Sequence, residues 1–349
     1  MDDVAGAAFL EREITQRGSG VALIIVTRDR PVYLEGLLKS IAALTVKPDF
    51  LIIVDNASDD ATRTTVQKFT RLALALSDII YDRLSTNTGG AGGFHRGLEL
   101  ALETDANWFW LMDDDVELLP EGLALMLTWQ HRFKCFHGQR YDSDGRPFFA
   151  SQRIDERLAV QIPIMPDPLR TKSYFLTNWA CFEGLFIHRD IVLQIGLPDP
   201  RFFIVWDDAM YGFRASRITE VAFVDSFVMR RARRQRQISL GIRHLNDASD
   251  LTRYYMMRNR ALIAAHLRHY GVFRPNWFRL GTALVLAKEI VRLVLVERGI
   301  EGVVSLFRGM KEARRLKGKG EITLMPPIVR EPPVVPLREA RLGVTAQSQ

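Results

Sequence analysis

The chain has 349 residues, 47% of them hydrophobic and 25% charged, a globular composition long enough for one large domain or two smaller ones. Its net charge of +6 favours anionic partners: phosphate groups, nucleic acid or an acidic membrane surface. The two cysteines, Cys135 and Cys181, exclude a CxxC-type zinc cluster, suggest no disulfide framework and point to a reducing compartment. The opening MDDVAGAAFLEREI is acidic where a secretory signal would be basic. No run reaches the roughly 18 uninterrupted apolar residues of a spanning helix. The longest candidate, GTALVLAKEIVRLVLV at 281–296, is broken by Lys288, Glu289 and Arg292.

In chain order, ALIIVTRD (22–29) is a β-branched run that reads as a buried strand. RPVYLEGLLKSIAAL (30–44) repeats its apolar residues at helical spacing, and Pro31 suits a first helical turn. FLIIVDNAS (50–58) is a second strand ending in a polar turn, and DATRTTVQKF begins a second helix. SDIIYDRL (77–84) is a third strand, followed by the glycine-rich loop TNTGGAGG (86–93) and the helix FHRGLELALE. ANWFWLM (106–112) is a fourth strand, with Asp113, Asp114 and Asp115 at its carboxyl end. Strands alternating with helices predict an α/β fold, a mostly parallel sheet covered on both faces. Ligands of such sheets bind outside the carboxyl ends of the strands, and Asp55, Asn87 and the acidic triplet all fall at that edge.

Beyond residue 120 the pattern loosens, and 130–172 has no sustained period. Apolar periodicity returns at 175–196, and LPDPRFFIVWDDAMYGFRAS (197–216) carries a second acid pair, Asp207 and Asp208. DASDLTRYYMMRNRALIAAHLRHYG (247–271) predicts a helix capped by Asp247 or Ser249. Residues 300–320 predict an amphipathic helix with an apolar stripe at Ile300, Val303, Val304, Phe307 and Met310. The tail 321–349 is proline-rich and reads as extended and flexible. The expected organisation is an extension (1–20), an α/β domain (21–245), a helical region (246–320) and the tail.

Each chemical motif has a structural alternative. The glycines follow the third strand rather than the first, so they fail the context test of a dinucleotide fold, and there is no P-loop. They are either a flexible turn before a helix or a place of close backbone approach to an anion. The acidic triplet could cap a helix, but a single Asp suffices for that. Three carboxylates after an aromatic strand need a counter-charge, and Mg²⁺ or Mn²⁺ bridging carboxylates to substrate phosphates would supply it. The pair Asp207–Asp208 suits a general base with a raised pKa, or a loop ion pair with Arg214 or Arg217. Six arginines between Arg230 and Arg243, and a net +4 over 297–320, are either a solvated face or sites for diphosphate and an anionic leaflet.

Taken together, VTRDRPVYLEGLLKSI, IIVDNASDD, NTGGAGGFHRGL and WFWLMDDDV resemble the donor half of inverting family 2 glycosyltransferases of the GT-A fold. FFIVWDDAMYGFRAS followed by YYMMRNR resembles the bacterial cell-wall galactofuranosyltransferases in particular, over roughly residues 20–320. The resemblance implies that Asp55 bonds the donor base, that Thr27 and Arg28 line the nucleotide pocket, and that Asn87, Gly89 and Gly90 sit against ribose and diphosphate. It implies that Asp113 and Asp115 hold the metal with Asp114 facing the sugar or ribose, and that Asp208 is the catalytic base with Asp207 as fallback. The subfamily's histidine metal ligand would fall near Met229 and Arg230, neither of which ligates a hard cation, so His244 is the nearest downstream candidate.

The implied reaction is a single inverting displacement. The favoured donor is UDP-galactofuranose, with dTDP-rhamnose as the alternative, and the acceptor is a lipid-linked or cell-envelope glycan. Trp179 and Trp206, with Phe182, Phe202 and Phe203, are candidates for an acceptor wall, against ordinary core packing. The expected location is cytoplasmic and peripheral on the inner membrane face, with oligomerisation open. A sugar-1-phosphate nucleotidyltransferase is disfavoured, because its basic glycine loop after strand one is absent. A non-catalytic nucleic-acid binder is disfavoured too, because only Phe227 lies near the arginines as a stacking partner.

Overall fold

The computed structural model describes residues 20–72, 78–148, 151–165, 167–233, 237–239, 244–246, 249–297, 302–318 and 320–328. Strand β1 (Val21–Thr27) is buried along its whole length and is an interior strand of the sheet. Alternate β1 residues feed two cores: Leu23 and Ile25 pack with helix α1 (Pro31–Ala43) on one face, and Ala22, Ile24 and Val26 with helix α3 (Gly89–Glu103) on the other. Cover on both faces explains why the strand carries no polar residue before Thr27. Strands β2 (Phe50–Asp55), β3 (Asp78–Arg83) and β4 (Trp108–Asp113) complete a parallel half, and helix α2 (Asp60–Leu72) joins β2 to β3.

The strand order β3-β2-β1-β4 reverses between β1 and β4. At such a switch point the two connections leave in opposite directions and open a crevice beyond the carboxyl ends. Thr27 and Asp113 end the two strands that flank it.

The second half of the sheet is mixed. The loosely patterned region supplies β5 (Val116–Leu118), helix α4 (Gly122–Trp129), β6 (Cys135–Tyr141), the hairpin β7 (Gln152–Asp155) and β8 (Val160–Pro163), and β9 (Tyr174–Thr177). Strand β10 (Leu185–His188) runs antiparallel to both β4 and β6, and helix α5 (Arg189–Ile195) follows it. After helix α6 (Asp207–Ala215), the long β11 (Val221–Arg231) pairs with β6, β9 and β5 and shifts register at Phe223–Met229. Two registers matter for the site. Leu185 opposite Leu111 sets Glu183 level with Asp113, and Arg231 opposite Val116 sets the end of β11 beside Asp115.

The glycines depart from expectation. Gly89 to Gly93 are not a loop but the first turns of α3. A Cβ on Gly93 would lie 2.4 Å from Val26, and one on Gly97 2.4 Å from Ile24. The small residues therefore let α3 seat closely on β1.

Among the described residues, four helices follow β11: α7 (Asp250–Arg258), α8 (Arg260–His269), α9 (Pro275–Arg292) and α10 (Gly302–Gly318). Ser249 caps α7, accepting from the Thr252 amide at 3.1 Å. The expected boundary near 245 does not divide the core, because Leu262, Ile263 and Leu267 of α8 pack in one cluster with Phe202, Met210 and Phe213. The stripe expected on 300–320 is split. Leu306 and Ala313 are buried and Val303 and Met310 pack with Met257 and Leu293, while Val304 and Phe307 stay exposed. Ile300 lies outside the described residues.

Part of the expected tail is also packed. Residues 321–328 form an extended strap across α5 and α6, where Arg201 donates to the Thr323 carbonyl at 2.6 Å and Arg214 to the Met325 carbonyl at 2.9 Å. The Ile328 amide bonds the Leu193 carbonyl at 2.8 Å. Both cysteines are buried and free, and no helix among the described residues is long and apolar enough to cross a membrane.

Candidate active site

A cleft of about 830 Å³ opens at the switch point, within the size range of small-molecule sites. Seven carboxylates and four arginines line it, among them both acid groups singled out by sequence, Asp113–Asp115 and Asp207–Asp208. Thr27, Arg28, Asn87, Gly89 and Gly90 line it as well.

The triplet is held from two sides. Asp114 is buried, and its carboxylate accepts from the Thr27 hydroxyl at 2.7 Å and from Arg30 at 3.0 Å. Arg30 also reaches Asp115 at 3.2 Å, so one guanidinium serves two carboxylates. Burial is the main cause of the upward shift of the Asp114 carboxyl, and Arg30 and Thr27 oppose it. Asp113 is pushed well above the usual carboxylate range by burial and then by repulsion from Asp115, Glu183 and Asp114. Glu183 faces Arg231 at 3.1 Å and Arg140 at 3.5 Å, both arginines being buried.

This charge pattern fits a bound cation. Asp113 is crowded by negative neighbours, and an incoming diphosphate would add more. Hard oxygen ligands of this kind suit Mg²⁺ or Mn²⁺, which keep waters and phosphate oxygens as further ligands. Asp113 and Asp115 are the residues that would hold it. Among the described residues, no group of three His, Cys, Asp or Glu side chains is placed to hold a metal ion. The backbone at His244 belongs to a short strand paired with Gln237–Ser239, and its side chain lies outside the described residues.

Asp207 and Asp208 open α6. Burial, with repulsion from Asp208, pushes the Asp207 carboxyl well up. Asp208 is raised by burial to about 6, opposed by the Ala209 amide, which it accepts at 2.6 Å. The backbone before the pair is strained, with φ of +62° at Phe203, +69° at Val205 and +75° at Trp206. Gly89, at φ +72°, makes room for this segment, since a Cβ there would fall 2.1 Å from the Phe203 carbonyl oxygen. The Ala91 amide bonds that same carbonyl at 3.1 Å.

Three expected site residues lie off the cleft. Asp55 is fully buried, with its oxygens accepting from the Ser58 amide at 2.8 Å and the Tyr81 hydroxyl at 2.6 Å. Trp179 and Trp206 sit in the α6–α8 core and do not line the cleft, Trp179 lying against Phe223 at 5.8 Å. Large aromatics beside a polar segment fill the core under it as readily as they wall a pocket. Of the other three aromatics, Phe182 and Phe203 line the cleft and Phe202 is core.

Sequence reasoning missed Arg30, Asn56 and Glu183, and it reached Arg231 only as one of the arginines of 230–243. Asn56 latches the glycine turn, donating to the Gly89 carbonyl at 2.8 Å and accepting from the Thr88 amide at 2.8 Å. The adjacency of Asn56 to Asp55 in VDNAS was its available signal.

Residues 22–195 match the family model described as glycosyl transferase family 2. The chain belongs to that family. It is 28% identical over 200 residues to galactofuranosyltransferase GlfT1 of Mycolicibacterium smegmatis, a match covering 54% of this chain and 62% of that relative. It is 26% identical over 287 residues to GlfT2 of the same organism, covering 71% of this chain and 41% of that one. The family 2 chain thus spans less than two thirds of these curated relatives. Two solved structures share its fold at 14% identity. S. aureus TarS 1-349 superposes with a TM-score of 0.52 over 84% of this chain and 80% of that one. GalNAc-T7 with UDP, GalNAc and Mn²⁺ superposes with 0.50 over 71% and 50%. The architecture is the α/β GT-A fold.

Proposed function

We propose that this family 2 protein is an inverting, metal-dependent glycosyltransferase that moves galactofuranose from UDP-galactofuranose to a lipid-linked or cell-envelope glycan. One observation carries the reading: the triplet at the end of β4 and the acid pair at the start of α6 face a single cleft at the sheet's switch point. The sugar preference rests on the GlfT1 and GlfT2 relatives.

In this reading Thr27 and Arg30 fix Asp114, and Asp113 and Asp115 present oxygens to the donor side. A divalent cation, Mg²⁺ or Mn²⁺, held there would offset the charge on the departing diphosphate. Asp208 takes the proton from the acceptor hydroxyl as that oxygen bonds the anomeric carbon. The bond from that carbon to the diphosphate oxygen breaks on the opposite face, which inverts the configuration. Its pKa near 6 leaves Asp208 ionised at neutral pH yet basic enough to accept the proton. The acceptor location is read as the inner membrane surface, on the exposed apolar side chains of the last two helices.

Calorimetric titration with UDP, with and without Mn²⁺, tests the donor side on the wild type and Asp115→Ala. Metal-dependent UDP binding lost in the variant is the expected result. Stronger dTDP than UDP binding would shift the donor to dTDP-rhamnose. No metal-dependent binding of either nucleotide would overturn the reading.

A further inference from the structure

Helix α9 leaves a line of large apolar side chains uncovered. Trp277, Leu280, Leu284 and Val291 of the helix, with Val294 and Leu295 of the π-helical turn Leu293–Glu297 that continues it, are 47–71% exposed. From Trp277 to Val294 the spacing alternates between three and four residues, with the exposed Ala287 filling the remaining turn, and Leu295 adjoins Val294. On α9 the side chains therefore stack into one seam, about 21 Å long from Trp277 to Val291. The only acid of α9 is Glu289, which is fully buried and paired with Lys288 at 3.1 Å and Arg292 at 3.0 Å. Arg274 and Arg279 are exposed beside the seam.

At the Trp277 end of the seam lies a hollow of about 560 Å³, between α8, the first turn of α9 and the end of α10. Arg268, Arg279 and Lys317 line it with Phe273 and Phe278, and no carboxylate does. Arg268 lies 4.3 Å over the Phe273 ring and Lys317 5.6 Å from the Phe278 ring. Among the described residues none of these three cations has an acid within ion-pair distance. Burial, and then Arg268, Arg260 and Arg279, hold the Lys317 amine below its ordinary range, so the cluster repels itself.

We infer that this face seats the protein on an anionic bilayer, with the α9 seam at the lipid–water boundary and the Arg268–Arg279–Lys317 hollow holding the phosphate of a lipid headgroup. An interfacial helix needs an apolar face, basic flanks and no exposed acid, and an aromatic anchor strengthens it. All four hold for α9, and Glu297, the exposed acid of the turn that follows it, is paired with Arg253. A second copy of the chain could cover the seam, but a two-fold contact would bring the same cations toward each other rather than neutralise them. The inference deepens the membrane part of the proposed function and does not depend on the transfer chemistry.

The test is sedimentation of the full chain with vesicles of phosphatidylcholine, alone or mixed with phosphatidylglycerol. Light scattering and UDP binding are measured on the same samples. The wild type is expected to bind the mixed vesicles, weakly the neutral ones, and to be released by salt. Arg279→Glu with Lys317→Glu should lower the affinity about thirty-fold, at roughly 1 kcal/mol per lost basic charge. Leu284→Gln with Val291→Gln should lower it about tenfold or more, from the lost apolar burial. UDP binding should be unchanged in both. No binding of the wild type to mixed vesicles overturns this inference and the membrane location together. Binding that ignores the charge reversal overturns the headgroup hollow and leaves the membrane location standing. A dimer that the seam variants dissociate, with vesicle binding intact, overturns the seat in favour of a second copy. The transferase reading stands or falls separately, on donor binding.

Discussion

The side-chain amide of Asn259 donates to the main-chain carbonyl of Val205 across 2.9 Å. The same nitrogen lies 3.0 Å from the carbonyls of Phe202 and Ile204, and Asn259 is fully buried. One amide thus grips the strained segment that leads into Asp207 and Asp208. Left-handed backbone at non-glycine residues costs roughly 1–3 kcal/mol each and persists only where the surroundings impose it. Asn259→Ala should lower kcat about a hundredfold through a misplaced base, with UDP binding little changed. It should also lower stability by about 1–3 kcal/mol, from carbonyls left unsatisfied. A variant with normal kcat would show that the segment holds its shape without the amide.

The Asp208 carboxyl, raised to about 6, sets a pH dependence. Below that pH it is protonated and cannot accept a proton; above it the base is available. The rate should therefore climb with pH and reach half its plateau near 6 on the acid side. Asp208→Asn should abolish turnover and retain metal-dependent UDP binding. A flat profile from pH 5 to 8 in the wild type would remove Asp208 from the role of base.

Arg30 offers a test of how the triplet is organised. It is the shared partner of Asp114 and Asp115, and its side chain is 40% exposed, which tempers its contribution. Arg30→Ala should reduce stability by about 1–3 kcal/mol, because it leaves the buried Asp114 with the Thr27 hydroxyl alone. It should weaken UDP binding as well. Arg30→Lys should recover part of both, since a point charge replaces only some of the forked contact. Denaturant melts and calorimetry on the two variants measure this.

His137, which does not line the cleft, predicts a sensitivity to acid. It is buried against Phe223 at 4.6 Å, neither ring nitrogen has a partner among the described residues, and burial pushes its pKa down to about 3. The folded value lies below the ordinary 6.5, so the neutral ring contributes stability that is complete above pH 6.5 and is lost as pH falls toward 3. At pH 5 the loss is about 2 kcal/mol. His137→Phe should therefore narrow the gap in denaturation midpoint between pH 7 and pH 5. An equal gap in both proteins would assign the acid sensitivity to other groups.

The parallel half of the sheet was legible in the sequence because strands buried on both faces read as unbroken apolar runs, as in ALIIV and FLIIV. The polar ending of β1 marked the cleft edge at Thr27, whereas that of β2, Asp55, is turned inward to Ser58 and Tyr81. The glycines were harder, since their role is to bring α3 onto Val26 and Ile24, a contact between segments some seventy residues apart. Glu183 reaches Asp113 only through the antiparallel register of β10 on β4, and no local pattern announces it. Arg28 and Arg30 look alike in TRDR, yet only the second meets Asp114. Trp179 and Trp206 turned inward because the α8 helix, a hundred or more residues from the triplet, gave them a core to fill.

The strap at 321–328 ties the far end of the helical region back to α5 and α6, while Asn259 anchors its near end to the same part of the catalytic domain. A segment fastened at both ends is a buttress and not a swinging arm. The glycine at 196 fits this construction, since a Cβ there would lie 2.0 Å from the Pro326 carbonyl. Cutting the chain before residue 320 would free one end. The four helices would keep their own contacts but lose the second fixed point, and the bed beneath the Asp207–Asp208 pair would soften from behind.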